Sequence, residues 1–461
     1  MPAPGPEKAP SATTEVSATL AEVVASERLR IVATLIRLTH DWDLAEDSFH
    51  DAVTRALTTW PERGIPDNPG AWLTTVAKNA AIDAIRKAST ERKATERHAH
   101  ELTDTPEEET TMLDDTIDDD RLRLIFTCCH PALAMESRVA LTLRTVLGLS
   151  VAETAHVFLV SEQTMQKRLV RTRAKIRSAN IPYRVPPPHL LPERTAGVLA
   201  VLYLLFTEGY SSGSGSDLIR PALADEAIRL TRLVAQLMPQ QPEVLALLAL
   251  ELFQHSRAAT RLDAASDLVL LEDQDRSRWN AAAIAEGSRM LAAAEQTLQH
   301  LGTLPGPYLL QAQIAAEHAT APTAAATNFA RIATLYAHLS QVAPSPIVDL
   351  NRAIAVAFSE GPDVGLALLD TLNLDAQLGE YHLLHATRAD LLRRLGRPTD
   401  ALPHYRRALE LAPSNPERRF LQRRLAEFGL AWPSTATADH QLEITPSASL
   451  FQSTVPSCSG R

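Results

Sequence analysis

A chain of 461 residues exceeds what one hydrophobic core organises, so two or three domains are expected, and an apolar share of 45% gives each a core. A formal net charge of -10 excludes a protein that coats nucleic acid along its whole length, which makes any such contact local. Three cysteines, two of them adjacent, exclude a secreted disulfide scaffold, and no run approaches the roughly 20 apolar residues of a membrane helix. With no signal-peptide pattern at the start, the expectation is a soluble cytoplasmic protein without a membrane partner.

Ala and Leu recur while β-branched runs are scarce, which predicts an all-α fold. Residues 1–26 are expected to be disordered. Residues 27–97 read as helices with a turn-rich break. In LAEDSFHDAVTRALTTW, Phe49, Val53, Ala56 and Trp60 recur at helical spacing and define a buried face, with Glu46, Asp47, His50, Asp51 and Arg55 opposite. PERGIPDNPG then stops the helix, and AWLTTVAKNAAIDAIRK restarts one. Residues 98–120 are acidic and read as an extended linker.

Residues 121–180 are helical again. Within LSVAETAHVFLVSEQTMQKRLVRTRAKIR, a helix holding Val151, Ala155 and Val157 precedes a short turn with Ser161 as N-cap, and a second helix starts at Glu162. This is a helix-turn-helix layout. Met165, Leu169 and Ile176 form the buried stripe of the second helix, leaving Gln163, Thr164, Gln166, Lys167, Arg168, Arg171 and Arg173 outward. Long donors on the N-terminal half of a helix suit base edges in a major groove, and cations further along suit phosphates.

The proline-rich segment 181–192 marks a domain boundary, and residues 193–430 form an Ala/Leu-rich remainder. There Ala389, Ala401, Tyr405, Ala408 and Pro413 match the small, small, aromatic, small, proline spacing of a tetratricopeptide repeat. Ala353 and Gly365 repeat the separation of Ala389 and Ala401 one repeat length upstream. A two-helix-repeat solenoid is expected, a non-repetitive bundle being the alternative. Residues 431–461, rich in Ser, Thr and Pro, are expected to be disordered.

Two modules then carry a family resemblance. The helix-turn-helix resembles region four of the sigma-seventy superfamily, with S-x-x-T-M-x-K-R where that family usually shows S-x-x-T-V-K-x-R. DLAEDSFHDAVTRAL resembles the region-two helix that docks on the clamp of RNA polymerase. PGAWLTTVAKNAAIDAIRK resembles the W-L-x-x-I-A-x-N-x-x-x-D-x-x-R segment that meets and melts the downstream promoter element. Their order, with an acidic linker and no region three between them, is similar to extracytoplasmic-function sigma factors. TCCHPAL, LLEDQDRSRW, GPY, PSPIVDLNRA and YHLLHATRADLLRRLGR look like the subgroup with a long tetratricopeptide-like extension.

The resemblance implies a sigma factor that binds core RNA polymerase and promoter DNA. Asp47, His50, Asp51 and Arg55 would face the polymerase, with His50 where Gln is usual. Arg63 and Asn68, in a loop longer and more proline-rich than the family norm, would meet the downstream element. Asn79, Asp83, Arg86 and Lys87 would lie along the separated strand. The seven outward residues of the helix-turn-helix would meet the upstream element. A regulatory protein or peptide on the repeats is a further partner.

Neither metal nor cofactor is expected. Cys128, Cys129 and His130 are adjacent on a helix and fan too widely for one tetrahedral ion, so packed thiols and a capped histidine are the reading. Trp60 and Trp72 read as core aromatics. LLEDQDRSRWN reads as a charged knot between helices rather than an acid-base or ligand site, and no enzyme is expected. The rival is a one-component regulator with a ligand- or peptide-binding repeat domain. It accounts for residues 121–430 but leaves the two helices of the first domain without a role.

Overall fold

The computed structural model describes residues 12–96, 119–158, 160–210, 219–263, 267, 269–413 and 415–428. The acidic linker, apart from residues 119 and 120, and the tail 431–461 lie outside them. Among the described residues the chain is helical throughout, without strands, and it divides into two compact units, Met1–Val201 and Leu202–Arg461.

Unit 1 opens with three packed helices, α1 (Ala12–Thr39), α2 (Trp42–Arg63) and α3 (Pro69–Glu96). The expectation of disorder through residue 26 is corrected: α1 starts at Ala12, because Val16 and Leu20 continue the apolar stripe of Leu35 and Ile31 backwards at helical spacing and are buried. Asp41 caps α2 by accepting from the Asp43 and Leu44 amides. Gly64 ends it at φ 83°, a conformation that disfavours side chains, and donates to the Trp60 carbonyl. Phe49, Ala56 and Trp60 are buried as the spacing predicts, Val53 is half-buried, and Trp60 meets Trp72 edge-on at 5.5 Å.

The next four helices are α4 (Asp120–Cys128), α5 (Met135–Leu141) with a π-helical turn through Thr142–Val146, α6 (Val151–Val157) and α7 (Glu162–Ser178). A capping box joins Ser150 and Glu153 at the start of α6. The proline-rich segment is part of unit 1 rather than a free linker. Ile181, Val185 and Pro186 are buried, and the Tyr183 hydroxyl donates to the Ala33 carbonyl at 2.8 Å. Helix α8 (Leu191–Tyr210) straddles the division between the units.

Cys128 and Cys129 are packed in unit 1, where burial raises both thiols, Cys129 to about 11, so neither is a thiolate at neutral pH. His130 accepts from the Ala132 amide through Nδ1. Burial, then Arg194 and Arg138, lowers it to about 4. These are structural groups, as the fanned spacing implied.

Unit 2 continues through α9 (Ile219–Leu237), α10 (Pro242–His255), α11 (Ala281–Leu301), α12 (Pro307–Ala319), α13 (Phe329–Val342), α14 (Pro346–Ser359), α15 (Pro362–Leu372), the short α16 (Asp375–Leu378), α17 (His382–Arg394), α18 (Pro398–Leu411) and α19 (Asn415–Ala426). From α9 onward, chain neighbours pack on each other, as stacked hairpins do. The half-buried Glu243 of α10 caps α12 from outside, accepting from the Tyr308 and Leu309 amides. A Cβ on Gly306 would come within 2.4 Å of that carboxyl, which explains the glycine of GPY.

The repeat pattern has a direct counterpart. Ala389, Ala401, Tyr405 and Ala408 are buried between α17 and α18, and Ala353 is buried where α14 meets Gly365 of α15. One continuous core, from Leu350 to Leu425, runs through both hairpins and α19. Arg276 of the LLEDQDRSRW segment donates to the His318 and Ala321 carbonyls and stacks over Trp279 at 4.4 Å. Glu272, Asp273, Asp275 and Arg278 are exposed, so of the charged knot that the sequence suggested Arg276 alone ties the segment to the end of α12.

Candidate polymerase and nucleic-acid interfaces

Helix α2 has two charged faces with opposite fates. Asp47, His50, Asp51 and Arg55 are exposed and share one side, backed by the core that Phe49, Ala52 and Ala56 fill. Glu46, expected to stand with them, is buried instead, and that expectation is corrected. The reason is tertiary: its carboxylate accepts from Arg144 at 2.8 Å, from Arg173 at 3.3 Å and from the Thr145 hydroxyl at 3.4 Å. Two guanidiniums and a hydroxyl replace the water it gives up.

Arg173 therefore does not point outward as the helix-turn-helix reading expected. It is buried, and besides Glu46 it pairs with Asp43 at the start of α2. Arg28 of α1 reinforces this cluster by donating to the Thr145 carbonyl at 2.8 Å. Its guanidinium occupies the space that a Cβ on Gly148 would need, and Gly148 also has φ 82°. The cluster locks the first three helices to the helix-turn-helix.

The remaining predicted residues of α7, Arg168 excepted, lie as the sequence suggested. Met165, Leu169 and Ile176 are buried. Ser161 caps the helix by accepting from the Thr164 amide. Gln163, Thr164, Gln166, Lys167 and Arg171 are exposed, with Val170 among them at 58%. Arg168 is half-buried, its guanidinium 5.0 Å above the Phe158 ring in the turn, so it holds the two helices of the motif together. The first turns of α7 thus offer amides, a hydroxyl and cations on a rigid rod.

On the other flank, Arg63 at the end of α2 and Asn68 just before α3 are exposed. The Asn68 carbonyl oxygen caps α3 by accepting from the Ala71 amide at 2.9 Å, so this side chain shapes the loop as well as lining it. Asn79, Asp83, Arg86 and Lys87 are exposed on α3, where Ile82 and Ile85 also face solvent at 43% and 42%. Exposed aliphatic groups beside amide and cationic ones suit unstacked bases and their backbone. Among the described residues, no group of His, Cys, Asp and Glu is placed to hold a metal ion, and no helix is long and apolar enough to cross a membrane.

Comparison with known proteins agrees with this layout. Residues 23–91 match sigma-70 region 2, residues 123–176 match sigma-70 region 4, and residues 383–428 match a tetratricopeptide repeat. Residues 194–295 match a family of unknown function. A protein of Rhizobium meliloti (strain 1021), itself described as uncharacterised, is 40% identical over 421 residues, covering 90% of this chain and 97% of that one. No solved structure matches. The region 2 and region 4 modules give the chain a sigma-factor role in transcription initiation. With both in order and the repeat at the C-terminal end, the chain belongs to the extracytoplasmic-function sigma factors that carry a tetratricopeptide-like extension.

Proposed function

We propose that the chain binds core RNA polymerase through the α2 face bearing Asp47, His50, Asp51 and Arg55 and starts transcription at specific promoters. In this reading Gln163, Thr164, Gln166, Lys167, Arg168 and Arg171 meet the upstream element. Arg63, Asn68, Asn79, Asp83, Arg86 and Lys87 meet the downstream element and the separated strand. Such a protein works in the cytoplasm. The observation that carries the reading is the exposed charged face of α2, held rigid by a packed core, in the same unit as an α7 whose N-terminal half is exposed and rich in donors. Arg173 supports the unit from within, because its charge is committed to Glu46 and Asp43.

The extension modulates initiation by engaging a protein or peptide. Stacked helical hairpins offer a surface for such a segment, and the core shared by α14 to α19 makes that surface stiff. Alone, the one-component alternative leaves the α2 face and the Asn79 to Lys87 face unused.

Docking is tested by charge reversal. Exposed charges at an interface set encounter and register, so Asp47→Lys combined with Asp51→Lys should cut co-purification with core polymerase at least tenfold while helicity stays unchanged. Unchanged co-purification would remove α2 from the docking surface.

A further inference from the structure

Unit 2 has two adjoining cavities, both open to solvent. The smaller, about 220 Å³, is bordered by Gln254, Arg257, Trp279, Gln311, His318 and Tyr336 among others. The larger, about 790 Å³, lies against α13, α14, α17 and α19. Leu271, His318 and Tyr336 border both, so the two are compartments of one site. Their combined size falls in the range of small-molecule pockets, which are apolar with a few convergent polar groups.

The compartments differ in chemistry. The larger has an aromatic wall: Phe329 and Phe358 stack with centroids 4.5 Å apart, Tyr336 and Phe420 also line it, and the Arg394 guanidinium caps Phe358 at 4.3 Å. The smaller holds the amides of Gln254 and Gln311 and the guanidinium of Arg257. Arg276 lines the larger cavity with the aromatic wall; it spends one nitrogen on the His318 and Ala321 carbonyls, and among the described residues no carboxylate is bonded to it. Burial and then Arg257 lower its proton affinity. Burial, then Arg257 and Arg276, also holds His318 down at about 4, so the imidazole is neutral at physiological pH. Two acids also border the larger cavity: Asp390 is bonded to Arg393 and Arg394, and Glu272 is exposed to solvent.

We propose that this paired cavity binds a small aromatic carboxylate, its anion beside Arg276 and His318 and its ring among Phe329, Tyr336 and Phe358. An anion there takes the remaining guanidinium donors of Arg276, while the aromatic wall receives a flat apolar body. A neutral analogue of the same shape gains only the second term. The inference goes beyond the sigma-factor reading and does not depend on it, because binding is read without polymerase or DNA.

The test is calorimetric titration of the full chain with 1-naphthylacetate and biphenyl-4-carboxylate, each against its neutral amide. A charge-assisted hydrogen bond contributes about 1.5–3 kcal/mol, so each acid should bind about tenfold to a hundredfold more tightly than its amide. Arg276→Met should erase that preference. Arg276 also braces the segment after α12, so a second variant, Ile354→Trp, fills the larger cavity from α14 with Arg276 intact and should abolish binding of acid and amide alike. Absence of binding by either acid, or equal binding of acid and amide, overturns the proposal. Binding that emerges only when residues 429–461 are removed also overturns it, and makes the chain's own tail the occupant.

Discussion

At the residue scale the most consequential side chain is Glu46. Four residues after Trp42 and three before Phe49, it falls beside the buried stripe and away from Asp47 and Asp51. Its charge alone argues for the exposed side. Its partners, Arg144 and Arg173, are 98 and 127 residues away, and no periodicity along α2 or α7 encodes such a pairing. That is why Glu46 and Arg173 were both expected outside, whereas Ser161, Met165 and Leu169, whose roles are local, were legible from spacing alone. A buried carboxylate flanked by two guanidiniums is costly to remove, since Arg144 then lies without its counter-ion and Arg173 keeps only Asp43. Glu46→Ala should destabilise unit 1 by about 3 kcal/mol in urea unfolding. Glu46→Gln, which keeps a hydrogen-bonding oxygen, should lose less. A change within about 0.5 kcal/mol for the alanine variant, the size of an ordinary surface substitution, would mean the cluster does not hold the modules together.

At the element scale the repeat signature was readable because it is a pattern of sizes rather than of chemistry. Ala389 and Ala401 allow α17 and α18 to approach closely, and Ala353 with Gly365 does the same for α14 and α15. A Cβ on Gly365 would lie 2.4 Å from the Ala357 Cβ and 2.9 Å from the Ala353 carbonyl oxygen. Two effects oppose each other in Gly365→Ala. Alanine favours a helix over glycine by about 1 kcal/mol, but overpacking against a backbone atom typically costs about 1–3 kcal/mol. Because neither contact is the end of a flexible side chain, overpacking should win. Hydrogen exchange in α14 and α15 should then speed up selectively, and unchanged protection would contradict the close-packed pairing. The first turns of α1 were missed for the converse reason: Ser, Ala and Thr between Val16 and Leu20 resemble a low-complexity segment, although the two apolar residues keep helical phase.

At the scale of the whole molecule, and in the proposed reading, an acidic chain concentrates its nucleic-acid chemistry on short exposed stretches of α3 and α7, while a separate helical array follows in the sequence as unit 2. The order of modules was legible because each keeps its own motif. The cavity in unit 2 was not, since its lining comes from helices between residues 250 and 424 that meet only in the fold. The proline-rich segment 181–192 looked like a boundary, yet Val185 and Pro186 are buried in unit 1, and Arg194 donates to the Phe126 carbonyl. A chain that keeps both sigma modules intact must therefore retain α8. The measurement that tests the account most directly is transcription from a promoter library by purified core polymerase with the full chain, alongside a chain ending at Tyr210 and the double variant Lys167→Ala, Arg171→Ala. The account predicts discrete start sites that share an upstream element with the full chain, their loss in the double variant, and a clearly different output when the extension is absent. A start-site profile no different from that of core polymerase alone would contradict it.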